Sequence, residues 1–77
     1  MINIDKELKL LSAELNKAVK KYGPFNSAHE GYAVILEEID ELWEEVRKKR
    51  SKRSKKNMAA ECRQIASMAI RFIMDLC

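Results

Sequence analysis

The apolar residues of this chain keep a spacing of three and four throughout, so its segments can bury one face only as helices. Ile4, Leu8, Leu11, Leu15, Val19 and Tyr22 share a face and predict a first helix over about 4–22, stopped by Gly23 and Pro24. Asp5 stands where a cap or a first-turn acid belongs. Ser27 can cap a second helix, and Glu30 three residues on completes a capping box. That helix is expected over about 28–47, with Tyr32, Ile35, Leu36, Ile39, Leu42, Trp43 and Val46 spread over an arc of about 120°. Like charges at short spacing favour open chain over about 48–56. Asn57 is expected to cap a third helix over about 58–76. These elements predict an all-α, single-domain chain, a three-helix unit in which helices 2 and 3 form an antiparallel hairpin across the basic loop.

The third helix carries two apolar strips. The main one is Met58, Cys62, Ile65, Ala69, Phe72, Ile73 and Leu76; Ala59, Ala66, Ile70 and Met74 form a second, about 100° away. The second strip reads as a subunit interface, the alternative being a central helix packed on both sides within one chain. Size points the same way. A chain of 77 residues buries roughly 60% of its unfolded surface, and small scaffolds usually add a staple, a metal or a partner subunit. Cys62 and Cys77 cannot supply the staple, because about 22 Å of helix separates them. Oligomerisation to a homodimer or homotetramer is therefore expected to complete the helical bundle. Unpaired cysteines, no apolar run of roughly 18 residues and no signal-peptide core predict a cytoplasmic chain that does not enter a membrane.

The net charge of +3 conceals a division. The run "RKKRSKRSKK", residues 47–56, holds eight of the 15 basic residues, which leaves the rest of the chain at −5. A basic pI is therefore no argument that the body binds nucleic acid. The opposite extreme is "EEIDELWEE", residues 37–45, with six acids in nine positions. Within it six like-charge pairs stand three or four residues apart, at a combined cost of about 1–3 kcal/mol. A marginal domain is not expected to carry that cost for solubility alone, and a divalent cation would reverse its sign. Glu38 lies at the edge of the apolar arc, with Glu41 one turn on. In the third helix Glu61 borders the main strip, with Gln64 one turn on. If the second helix ends near Arg47, Glu41 lies about 9 Å before the turn and Glu61 about 6 Å after it. Three carboxylates and an amide at one height suit a hard cation with oxygen ligands, Mg²⁺ above all, and Mg²⁺ implies phosphate oxygens in the substrate or ligand.

These residues carry a resemblance. Glu37, Glu38 and Glu41 spell EExxE, and after nineteen intervening residues Glu61 opens ExxQ. The all-α nucleotide pyrophosphohydrolases of the MazG type have ExxE, a gap of similar length, then ExxD. The stretches "YGPFNSAHEGYAVILEEIDEL" and "ECRQIASMAIRFIMDL" look like small MazG-like proteins of bacteria and phages, so the resemblance covers residues 22–76. It implies hydrolysis of a nucleoside triphosphate to monophosphate and pyrophosphate with Mg²⁺ or Mn²⁺, and so the clearing of noncanonical or excess nucleotides. It also implies Glu38, Glu41 and Glu61 as metal ligands, Gln64 as a weaker fourth, and Glu37 or Glu38 as the group that orients or deprotonates water. Gln64 replaces an Asp of the family and brings no charge, and the fourth helix common there is absent from this sequence. A noncatalytic relative, a helical oligomer binding nucleotide, nucleic acid or protein, is the alternative.

The other candidates are weaker. The basic run reads as a solvated linker, or as a nonspecific, salt-dependent contact to nucleic acid or triphosphate; no aromatic residue interleaves it for base stacking. His29 is expected to be exposed, Cys62 and Trp43 to be core, and Arg71 to be an ion-pair partner or a phosphate contact.

Overall fold

Each helix begins at a polar side chain that takes up an orphan backbone amide. In a computed structural model that describes residues 3–77, Asn3 opens α1 (Ile4–Lys21), Ser27 opens α2 (Ala28–Val46) and Ser54 opens α3 (Lys55–Leu76). Asn3 Oδ1 accepts from Lys6 N at 3.0 Å, Ser27 Oγ from Glu30 N at 3.1 Å and Ser54 Oγ from Asn57 N at 3.0 Å. Glu30 reaches back as the capping box requires, but one residue further, to the backbone and side-chain amides of Asn26. The third helix starts three residues before the expected position. Ser54 rather than Asn57 is its cap, so Lys55 and Lys56 are helical. Between α2 and α3 remains one short 3-10 turn, Arg50–Lys52. The fold is all-α, with no strand among the described residues.

Contacts give the directions. Gly31, early in α2, faces Phe72 and Leu76, late in α3, while Glu45 at the end of α2 bonds Ser54 at the start of α3, so the two helices are an antiparallel hairpin. On α1, Glu7 bonds Arg63 and Glu14 bonds Gln64, while Val19 and Tyr22 lie with Arg71 and Met74, so α1 runs parallel to α3. α3 is central: α1 and α2 each run along it and not along each other. α1 therefore packs along the α3 side that carries the second apolar strip, with Leu8 and Leu11 beside Ala59 and Ala66, while Met74 of that strip stays exposed. Cys62, expected in the core, is exposed. His29 is exposed as expected.

The core is small: Ala18, Phe25 and Met68 are buried, with Val34, Ile35, Phe72 and Leu76 packed against them. Val34 faces inward, whereas Tyr32, Leu36, Ile39 and Trp43 are exposed, Trp43 at 57%. The buried face of α2, through Gly31, Val34, Ile35, Glu38, Leu42, Glu45 and Val46, is turned by about 80° from the centre of the apolar arc. Gly31 explains the turn. A Cβ there would stand 2.6 Å from the Phe72 ring and 3.2 Å from Leu76 Cδ1, so α3 approaches α2 where α2 has no side chain. No helix among the described residues is long and apolar enough to cross a membrane.

Candidate metal centre

The rotation of α2 carries Glu38 to the α2–α3 contact. Glu41 follows one turn later, and Glu61 comes from the facing turn of α3. One carboxylate oxygen of each lies within 4.8 Å of the others. Glu38 and Glu61 are half-buried and Glu41 is exposed. The acids interfere as their proximity requires. Burial, then the charge of Glu41, then the hydrogen bond and charge of Glu61 push the Glu38 carboxyl up to about 7. Burial also raises Glu61. Glu61 Oε2 is shut off from solvent with no hydrogen-bond partner, in a cluster whose only donor is a carboxyl proton. Such a site is completed by a proton or a cation. Its oxygen-only donor set fits a hard divalent ion, Mg²⁺ or Mn²⁺, and not a soft one.

Of the other expected site residues, Glu37 is exposed and outside this cluster. Gln64 spends its amide N–H on Glu14 Oε1 of α1. Arg71 is 4% exposed and forms no ion pair among the described residues. Its guanidinium lies over the Phe25 ring, 4.6 Å from the centroid, and donates to the Gly23 carbonyl at 2.6 Å. Asp75 accepts from Phe25 N at 3.0 Å, so two α3 side chains hold the α1–α2 linker. Glu44 and Glu45 pair with Arg47 at 3.4 Å and Lys48 at 2.8 Å, one position nearer than the spacing of four.

Beside the acids is a cavity of about 290 Å³, walled by Tyr22, Phe25, Val34, Met68, Arg71 and Glu38. Glu38 therefore belongs to both the acidic cluster and the cavity wall. The cavity was hidden in the sequence. Gly23 and Pro24 read only as a stop, and nothing in the spacing foretold that Phe25 would fold back under Arg71. Glu14 was also missed: it stands about 60° outside the α1 stripe, so the apolar spacing gave no sign that it faces α3. Compared with known proteins, the chain matches no family model, no curated protein and no solved structure.

Proposed function

We propose that the chain is a MazG-like, Mg²⁺- or Mn²⁺-dependent pyrophosphohydrolase that converts nucleoside triphosphates to monophosphates and pyrophosphate. The observation that carries this reading is the double membership of Glu38, with Glu41 and Glu61 on one side and a mostly apolar cavity on the other. Glu38, Glu41 and Glu61 would hold the cation. When bound, it would supply charge for phosphoryl oxygens and acidify a water. In the cation-free fold Glu38 is raised to about 7, and its proton would be displaced by a cation held there, which restores the carboxylate. Glu37, exposed and outside the cluster, would orient incoming water rather than ligate. Tyr22 and Phe25 offer ring faces to a base, and Arg71 offers the only cation in the cavity wall.

The chain is further proposed to act as a homodimer or homotetramer. Tyr32, Leu36, Ile39 and Trp43 recur at heptad spacing along α2 with exposures of 64, 41, 43 and 57%. A contiguous apolar stripe of this kind on so small a core marks an association surface.

A second reading, a noncatalytic helical oligomer that binds nucleotide, is favoured by Gln64, whose amide is engaged by Glu14 instead of adding a fourth acid. One assay separates the two. Pyrophosphate release is measured from a panel of nucleoside triphosphates with Mg²⁺ or Mn²⁺, for the native chain and for Glu38→Ala and Glu41→Ala. The enzyme reading expects turnover that both substitutions reduce by at least about 100-fold, the scale of losing one charge-stabilising group. Absence of turnover throughout, or equal turnover by the variants, overturns it.

A further inference from the structure

The acidic body of this molecule ends in a strongly cationic tip, and the structure shows that the tip is built. Glu45, 7% exposed, accepts from Ser54 N at 2.6 Å and from Lys48 Nζ at 2.8 Å. Arg53 Nε donates to the Val46 carbonyl at 2.8 Å, and Lys52 N to the Lys49 carbonyl at 2.7 Å. Ser54 caps α3, so the connection is a short turn, exposed but held by backbone and side-chain hydrogen bonds, and not the open chain that its composition suggests. Arg47 and Lys48 are neutralised by Glu44 and Glu45. Lys49, Arg50, Lys52, Lys55 and Lys56 are all exposed and form no ion pair among the described residues. Five cations whose side chains make no bond are thus concentrated within eight residues on a fixed frame, and Arg53, tied to a carbonyl, adds a sixth unpaired charge.

We infer that this turn is a docking surface for the phosphate backbone of nucleic acid, read without regard to sequence. Charge complementarity names the partner class. No apolar residue interrupts residues 47–56 to insert into a bilayer, so the turn offers charge contacts alone. No aromatic residue lies within the turn, so it offers phosphate contacts without base readout. Five phosphate contacts predict a slope of log affinity on log salt of about −4.5 for duplex and about −3.5 for single strands. This inference concerns a surface apart from the acidic cluster and does not rest on the pyrophosphohydrolase reading.

The test is fluorescence anisotropy of a labelled 20-mer, duplex and single-stranded, with the full chain between 50 and 200 mM salt. The duplex affinity is expected to fall about 500-fold across that range. In Lys49→Ala/Arg50→Ala/Lys52→Ala the slope should drop to about −2, for two remaining contacts. Lys49→Arg/Lys52→Arg, which keeps the charge, should bind as the native chain does and so separates lost charge from lost fold. Inorganic tripolyphosphate and vesicles with 30% phosphatidylserine are added as competitors at equal total charge, and neither should displace the oligonucleotide efficiently. No binding at 50 mM salt, a salt-independent affinity, an unchanged triple variant, a failed Lys-to-Arg variant, or either competitor matching the oligonucleotide would overturn the proposal.

Discussion

Glu38 and Glu61 show what crowding does to single groups. A carboxyl at about 7 in the fold and 4.5 in the open chain holds its proton more tightly when folded. Its support for the fold is therefore complete below the unfolded value and is lost as the pH rises from about 4.5 towards 7. Glu7 and Glu45 behave oppositely. The hydrogen bonds from Arg63 to Glu7, and from Lys48 and Ser54 to Glu45, lower these carboxyls, so their support is present above 4.5 and is lost only in more acid solution. In metal-free buffer the melting temperature should thus fall between pH 5 and pH 8, and the fall should be smaller in Glu38→Gln. Adding Mn²⁺ at pH 8 should raise it in the native chain alone. Identical pH profiles for the two proteins would refute the assignment to Glu38. The identity of these acids was legible in the sequence from their like-charge spacing. Gln64 was legible only as a departure from a motif, because its engagement by Glu14 depends on α1 lying along α3.

At the scale of elements, helix existence and ends were readable because each depends on neighbours in sequence. Ser27 capped where expected, and the Gly23–Pro24 stop ended α1 after Lys21. The start of α3 was misplaced because Ser54 gains a second reason to cap: its own amide is held by Glu45 across the turn. The face of α2 was misjudged because apolar residues cover too much of the helix for their centre to define a contact. Gly31 defined it instead. Gly31→Ala should gain about 1 kcal/mol of helix propensity. It should lose about 1–3 kcal/mol through overpacking against Phe72 and Leu76. A net loss near 1 kcal/mol lowers the melting temperature by roughly 4–8 °C for a domain of this size. A variant melting above the native chain would show that Phe72 yields without strain.

For the whole molecule, the two-faced third helix has a partial internal explanation: α1 packs along part of its second strip, and surplus apolar surface remains at Ile73 and Met74 and along α2. The stripe from Tyr32 to Trp43 is the face proposed for association of copies. Light scattering at micromolar concentration should give the mass of two or four chains, and Leu36→Lys/Ile39→Lys should give one. A native monomer would remove the stripe from consideration as a self-contact. The separation of charge follows the same geometry: the acids gather on the hairpin's flank and the cations at its tip, because a single turn divides the two runs.

The sequence by itself determined three helices, their approximate ends, the acidic run and the pairing of Glu38 and Glu41 with Glu61, since periodicity, capping and helical rise act over a few residues. Tertiary structure alone decided which face of α2 is buried, that α1 packs along α3, and that Phe25 and Arg71 line a cavity beside Glu38. Those outcomes depend on how closely two helices can approach and on which polar groups must be satisfied when they do. At Gly31 and Glu45, contacts across the hairpin outweighed the apolar average of the helix that carries them.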